Sequence, residues 1–271
     1  FKEAYKQYVD GGWTGMTHPE ELGGQNLPYS LGSVMAEWFS SANHSWVMYP
    51  GLSQGCMETL KEHGTSEQQK MFLNNLIGGQ WTGTMCLTEP HCGSDLGMLK
   101  CKAVKNDDGT YSLTGTKIFI SAGEHDMSDN IVHIVIARLP DAPSGTKGIS
   151  LFVVPKFNAG TEGEKLDRNA VTCGSIEHKM GIKGSATCVI NFDEAKGYLV
   201  GTENRGLNCM FTFMNTERIG TGLEGLSASE AAFQGALAYA KDRLQFRAMT
   251  GVKNPDGPAD PIINHPDVRR M

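Results

Sequence analysis

The sequence predicts an α+β fold in three blocks: an N-terminal helical domain, an antiparallel β-barrel or sandwich, and the start of a C-terminal helical bundle. Three observations carry this. Residues 1–80 place apolar side chains at helical spacing, residues 81–200 hold short β-rich runs divided by turn signals, and from about Arg205 the helical pattern returns through residue 271. Nowhere do strands and helices alternate as a parallel βαβ sheet requires.

In the first block, Gly11-Gly12-Trp13 ends a helix, and His18-Pro19-Glu20-Glu21-Leu22-Gly23-Gly24-Gln25 is a Pro/Gly-rich turn. Residues 31–39 and 56–63 have helical spacing. Ser66 followed by Gln69 reads as a capping box that opens the next helix after Gly64. In the second block, Thr84, Cys86 and Thr88 alternate with Met85 and Leu87 until Glu89-Pro90 stops the strand. A second β-rich run, 117–121, ends in Ala122-Gly123. Asn106-Asp107-Asp108-Gly109 turns the chain between 102–105 and 111–113, and 131–136, 148–155 and 187–192 are further strands. Residues 156–171 are polar and read as a surface excursion. In the third block, Leu226, Phe233, Leu237, Ala240 and Leu244 form one apolar stripe on a long helix. Residues 251–261 are a Pro/Gly loop, and Pro266 opens another helix. The chain begins inside a helical pattern without Met and stops as a helix starts, so a piece of a longer polypeptide is expected.

With 39% hydrophobic and 20% charged residues, 271 positions suffice for one large or two modest cores. A net charge of −6 without a Lys/Arg block argues against nucleic acid or an anionic membrane as partner. No apolar run approaches a membrane span, and no signal peptide opens the chain. Seven scattered cysteines, an odd number without C-x-x-C, fit reduced thiols in a cytosolic-type compartment. His91-Cys92 and the Cys173, His178 pair give no four-ligand set, so no metal is expected. No Gly-x-Ser-x-Gly elbow is present.

Two segments carry a family resemblance. Leu87-Thr88-Glu89-Pro90-His91-Cys92-Gly93-Ser94-Asp95 and Gly115-Thr116-Lys117-Ile118-Phe119-Ile120-Ser121 resemble the paired signatures of the flavin-binding middle domain of acyl-CoA dehydrogenases, with Phe119 where Trp is usual. The Pro19–Gln25 turn and Gly64-Thr65-Ser66-Glu67-Gln68-Gln69-Lys70 resemble features of the family's N-terminal helical domain. The likeness spans nearly the whole chain and leans toward the larger, atypical bacterial members. It implies a truncated N-terminal domain over 1–80, a flavin-binding domain over 81–200 and a truncated C-terminal domain over 201–271. The implied reaction is α,β-desaturation of an acyl-CoA to the trans-2-enoyl-CoA, with hydride passing to N5 of FAD and electrons to an electron-transfer flavoprotein. A homodimer or higher homo-oligomer is implied, cytoplasmic in a bacterium or mitochondrial in a eukaryote. An acyl-CoA oxidase or flavin monooxygenase on the same fold, or a non-catalytic flavin-fold fragment, are the alternatives. Residues 1–271 alone are expected to turn over weakly or not at all.

Residue by residue, the resemblance puts Met85, Leu87, Thr88, Gly93, Ser94, Phe119, Ile120 and Ser121 around the flavin, with Ser121 near N5 and Ser94 also toward CoA. Asn215 and Arg218 would lie beside the thioester arm. Glu217 falls where a few members carry the catalytic carboxylate; most carry it downstream, so the base is expected beyond Met271. Arg243, Gln245 and Phe246 match a motif that reaches the FAD pyrophosphate of a neighbouring subunit, for which an Arg fork is suited. Bland readings stand beside these: local backbone satisfaction for Thr88 and Ser121, a turn cap for Asp95, a solvated Glu217-Arg218 pair, and a dipole-complementing cation at Arg243. Gly220-Thr221-Gly222-Leu223-Glu224-Gly225 matches G-x-G-x-x-G but lacks a βαβ setting. It is read as lying within a helix whose glycines admit a close neighbour.

Overall fold

The computed structural model describes all of residues 1–271. α1 (Lys2–Asp10), α2 (Tyr29–His63) and α3 (Ser66–Ile77) form the first layer. α1 ends at Gly11, and Gly12 takes a left-handed φ of 71° that a side chain would resist. The segments expected over 31–39 and 56–63 are parts of one long α2, interrupted only at Asn43, whose backbone leaves helical space. The Asn43 carboxamide accepts from the Trp46 amide at 3.0 Å and so re-caps the helix after its own kink.

The capping box at the start of α3 lies one residue earlier than expected. Thr65 is the N-cap: its hydroxyl accepts from the Gln68 amide at 3.3 Å, and the Gln68 carboxamide accepts from the Thr65 amide at 3.1 Å. Gln69 is used elsewhere, donating to the Lys61 carbonyl at 2.9 Å to close the end of α2.

The middle block contains β1 (Trp81–Cys86), β2 (Lys102–Lys105), β3 (Tyr111–Ser121), β4 (Asn130–Arg138), β5 (Ile149–Pro155), β6 (Phe157–Ala159), β7 (Lys165–Arg168), β8 (Val171–Ile176) and β9 (Thr187–Val200). β4, β2, β3, β9 and β5 pair in a ring closed by β4 with β5; β1 joins β4 and β8 joins β9. The sheet is mixed, which corrects the expectation of a wholly antiparallel one. β1 runs parallel to β4, Trp81 opposite Asn130 through Cys86 opposite Val135. The intervening residues 87–129 provide the long return that a parallel pairing needs. The stretch read as a surface excursion holds the β6–β7 hairpin and the start of β8.

β4 is buried on both faces and sorts its side chains by the strand period. Val132, Ile134 and Ile136 join a helical core with Met57, Leu60, Phe72 and Phe213. Val135 and Ala137 join the barrel core with Leu113, Ile120, Phe152 and Phe192. α4 (Gly206–Asp242) crosses α2 at Gly55, where any Cβ would collide with the buried Phe213 ring. α5 (Pro266–Arg270) starts with its proline, as expected.

Two expectations for α4 change. Of the five stripe residues, Ala240 is buried, while Leu226 and Phe233 are 52% and 58% exposed. Leu244 falls just past the helix end. Gly220, Gly222 and Gly225 do lie inside α4, but a Cβ on any of them would meet nothing within 4 Å, so no close neighbour accounts for them. All seven cysteines are free thiols. No helix is long and apolar enough to cross a membrane.

Candidate functional site

The two signature segments are held side by side by a buried staple. Lys117 and Glu89 are 0% and 3% exposed and pair at 2.8 Å. The Lys117 ammonium also donates to the Leu87 carbonyl at 2.9 Å. The second Glu89 oxygen accepts from the Lys100 amide at 2.7 Å, and the first also takes the Cys101 amide at 3.1 Å. Burial pushes the Glu89 carboxyl up, but Lys117 and these amides outweigh it and hold the group below the usual carboxylate range. Beside the staple, the Ile118 amide donates to the Thr88 carbonyl at 2.9 Å. The Thr-Glu-Pro turn therefore cannot drift from the end of β3.

β1 ends at Cys86, two residues short of Thr88. β3 bulges between Lys117 and Ile120, with Phe119 at φ 60°. The bulge re-aims side chains: Phe119 stands 59% exposed as an apolar wall, while Ile120 turns into the barrel core at 2% exposure and offers a ligand only its backbone. Thr88 and Ser121 are half-buried, and neither hydroxyl is spent on a hydrogen bond within the chain. A Cβ on Gly93 would lie 3.2 Å from the Thr88 methyl, so the glycine keeps the turn against Thr88. Ser94 is exposed on the same turn; Asp95 accepts from the Gly97 amide at 3.2 Å, the cap role expected of it. Met85 packs toward the helical core.

A second feature is a solvent-open cavity of about 120 Å³ between α2 and α4. Trp13, Met16, Tyr29, Ser40, Glu217 and Glu224 are among its lining residues; Thr88, Phe119 and Ser121 are not. Glu217 reaches it one turn beyond Phe213, with Oε1 2.9 Å from where a Gly55 Cβ would stand. Burial, then the neighbouring Glu224, push the Glu217 carboxyl up to about 8 against a weaker pull from the Gly55 amide. Arg218 is exposed, takes Asn215 as its partner at 3.0 Å and lies 5.7 Å from the Phe211 ring centroid. Glu217 and Arg218 are thus not a solvated pair.

Arg243, Gln245 and Phe246 form an exposed corner after α4. Phe246, at φ 57°, is 75% exposed. The Gln245 amide donates to the Asp260 carbonyl at 3.0 Å. Asp260 is fully buried and accepts from the Ala248, Lys253 and Asn254 amides at 2.8, 2.9 and 2.7 Å. These amides, Ala248 first, lower its carboxyl to about 2. One carboxylate therefore shapes the loop that presents the corner.

Sequence reasoning gave no role to Glu89, Lys117, Glu224 or Asp260. The first two stood inside the quoted segments as one acid and one base, a pairing signal in itself. Glu224 follows Glu217 by seven residues, which puts both on one helix face. Glu89, His91 and Cys92 also bring ligand atoms within 4.8 Å of one another. The Glu89 carboxylate is committed to Lys117 and two amides, and the His91 ring to the Met98 carbonyl at 3.0 Å.

Helices flanking a closed mixed barrel, with two stapled strand ends beside it, define a helix–barrel–helix class of protein. Family models for the acyl-CoA dehydrogenase N-terminal domain and middle domain match residues 1–80 and 84–195. The chain belongs to the acyl-CoA dehydrogenase family. It is 50% identical over 271 residues to the 3-methylmercaptopropionyl-CoA dehydrogenase of Ruegeria pomeroyi, covering 100% of this chain and 46% of that protein. It therefore spans about half the length of that relative. The structure of butyryl-CoA dehydrogenase from Megasphaera elsdenii superposes with a TM-score of 0.84 at 28% identity, over 100% of this chain and 65% of that one. An acyl-CoA dehydrogenase complexed with FAD from Bacillus anthracis superposes with a TM-score of 0.78 at 27% identity, over 99% and 42%.

Proposed function

We propose that this chain is the flavin- and acyl-binding part of an FAD-dependent acyl-CoA dehydrogenase. The observation that carries the reading is the Glu89–Lys117 staple, which holds the turn bearing Thr88 against the end of β3, where Phe119 and Ser121 stand, with both hydroxyls unspent. Two half-buried hydroxyls and an aromatic face suit the edge and plane of a flavin ring, so the residues present fit FAD. Bound FAD supplies the two-electron oxidant that removes the β-hydrogen of the acyl group. The chain's own contribution is orientation: Leu87, Thr88, Phe119 and Ser121 hold the ring, with Gly93 and Ser94 in the adjoining turn. Arg243, Gln245 and Phe246 serve the cofactor of a second subunit in a homo-oligomer.

The acyl group enters the cavity between α2 and α4, with Arg218 and Asn215 on its outer flank toward the CoA arm. Short acyl thioesters, such as the methylmercaptopropionyl and butyryl groups named for the relatives, are the substrate class. An electron-transfer flavoprotein is the electron acceptor. Glu217 has the raised pKa a proton-abstracting carboxylate needs near neutral pH, which makes it the candidate base within this chain.

The test is to purify the chain with FAD, read its visible absorbance, and titrate it anaerobically with butyryl-CoA and 3-methylmercaptopropionyl-CoA. Yellow protein whose flavin is perturbed or bleached by either thioester supports the reading. A colourless protein that takes up no FAD overturns it. Rapid reoxidation of bleached flavin in air would favour an oxidase on the same fold, because fold alone does not decide the oxidant.

A further inference from the structure

We propose that Cys173 and Cys188 form a dithiol that a hydroperoxide oxidises to a disulfide, and that this bond loosens the strand end carrying Ser121. The bond follows from the two thiols alone. Its effect on the cofactor rests on the reading of Thr88 and Ser121 as the flavin site.

Of the seven thiols, Cys173 on β8 is the one that is not buried. Cys188 on β9 belongs to the barrel core, and Cys173 packs against that same core from its rim. Cys173 stands opposite Ile190, and Cys188 lies two positions along β9, on the same face as Ile190. The two cysteines are therefore diagonal neighbours. The Cys173 thiol also leans the right way. It donates to the Ser175 carbonyl at 3.4 Å, toward the end of β8 where Ile176 faces Cys188. Burial, and then the neighbouring Cys173 sulfur, push the Cys188 thiol up to about 12. Diagonal neighbours on a regular ladder stand slightly farther apart than a disulfide spans. This ladder is not regular. β8 bulges between Cys173 and Ser175, and Gly174 fills the bulge, where a Cβ would lie 2.7 Å from the Asn191 carboxamide. The bulge is the slack that lets β8 draw in.

The start of β9 is what holds the end of β3. Cys188 pairs with Ile120, and Thr187 with Ser121. The Ala122 amide donates to the Ala186 carbonyl at 2.8 Å. The Cys188 Cβ lies 3.0 Å from where a Cβ on Gly123 would stand. Drawing Cys188 toward β8 therefore draws it away from the segment that positions Ser121. The chemistry starts at the rim, where Cys173 meets the oxidant first. Its thiolate attacks a peroxide oxygen and the O–O bond breaks. The leaving oxygen departs with a proton as an alcohol, or as water from hydrogen peroxide, and Cys173 becomes a sulfenic acid. The Cys188 sulfur then bonds the Cys173 sulfur and displaces hydroxide, which leaves as water with the Cys188 proton. The Glu124 and Gly123 amides favour the Cys188 thiolate in this step, as does the Lys179 ammonium, held on the Ser185 carbonyl at 2.6 Å. Two thiols give up two electrons, and one peroxide takes them.

The experiment is treatment of the chain with hydrogen peroxide, followed by non-reducing peptide mapping and by FAD affinity from fluorescence quenching. Trypsin cuts after Lys179 and Lys183, so the disulfide joins two separate peptides. The expected result is that linked pair, released by dithiothreitol. FAD affinity of the oxidised chain falls by about 2- to 12-fold, the contribution of one hydrogen bond at Ser121, and returns with dithiothreitol. Cys173→Ser forms no link and keeps its FAD affinity through peroxide treatment. Finding Cys188 free while Cys173 has gone on to the sulfinic acid overturns the proposal, as does a linked chain with unchanged FAD affinity. A chain that takes up no FAD overturns the flavin reading, while the peptide map still decides whether the dithiol exists. If Cys173→Ser fails to fold, Cys188→Ala is read the same way, and the map and its reversal in the unmutated chain need no variant.

Discussion

Glu89 and Lys117 sit 28 positions apart in the chain and meet at 2.8 Å in full burial, joining the turn after β1 to the end of β3. Replacing both by apolar residues could cost little, because a buried ion pair repays its desolvation only in part. Removing one partner is different. Lys117→Met leaves a carboxylate inside with only two amides to answer it, and should cost about 3–5 kcal/mol of unfolding free energy. Urea titration followed by circular dichroism reads the loss. Adding Glu89→Gln to Lys117→Met should recover part of it, the non-additivity expected of a coupled pair.

Gly55→Ala tests the helix crossing that shapes the cavity. The new methyl would collide with the Phe213 ring and crowd Glu217 Oε1. Overpacking of this kind costs about 1–3 kcal/mol. The loss should appear as a lowered melting temperature with the circular dichroism spectrum of the native fold retained.

Much of this architecture was legible in the sequence. Strand periodicity and turn residues marked β1 through β5 and β9, and Gly11-Gly12 marked the end of α1. What escaped depended on partners distant in sequence. The parallel seat of β1 beside β4 follows from how residues 87–129 return, which no local pattern encodes. Thr65 rather than Ser66 caps α3 because Gln69 is drawn away to the Lys61 carbonyl, 8 residues back. In the site, Thr88, Phe119 and Ser121 were visible as motif positions. The inward turn of Ile120 was not, because it results from a bulge in the pairing of β3 with β9. The cavity and its two carboxyls were invisible as a unit, since α2 and α4 meet only after folding.

Glu217 should make the fold less stable as pH rises. Its carboxyl titrates near 8 in the folded chain against an ordinary value of 4.5, so the folded state holds a proton that the unfolded chain has released. Stability is therefore full below about 4.5 and declines as pH rises toward 8. Glu217→Gln removes this slope. The difference in urea midpoint between the parent and the variant should widen in favour of the variant up to pH 8 and then level off. A constant difference would show that Glu217 titrates normally.

His125 and His133 impose the opposite slope on the acid side. Burial first, and then the Lys156 charge, lower them to about 4 and about 3 from an ordinary value of 6.5. His133 is fully buried, with Nδ1 2.7 Å from the Thr84 hydroxyl and Nε2 unpartnered. The unfolded chain takes up protons that the folded one refuses, so stability is present above about 6.5 and lost as pH falls through 4. In the Glu217→Gln background, these two rings should account for about two protons taken up on unfolding near pH 5, with His18, also lowered by burial, adding to them; the uptake is read from the pH dependence of the urea midpoint. Uptake near zero would mean that both rings are protonated in the fold.

The hydroxyls of Thr88 and Ser121 are the most direct handle on the cofactor. Neither supports the fold by a hydrogen bond of its own, so Thr88→Val and Ser121→Ala should leave the melting temperature of the FAD-free chain within a degree or two of the parent. If each contributes one hydrogen bond to the flavin edge, each substitution weakens FAD binding by about 0.5–1.5 kcal/mol, or roughly 2- to 12-fold. Together they should approach the product of the two factors if the contacts are independent. The reading is FAD affinity by fluorescence quenching, alongside thermal melts of the FAD-free proteins. Unchanged FAD affinity in the double variant would move the cofactor away from these strand ends. A fall in melting temperature without FAD would mean that the hydroxyls are structural.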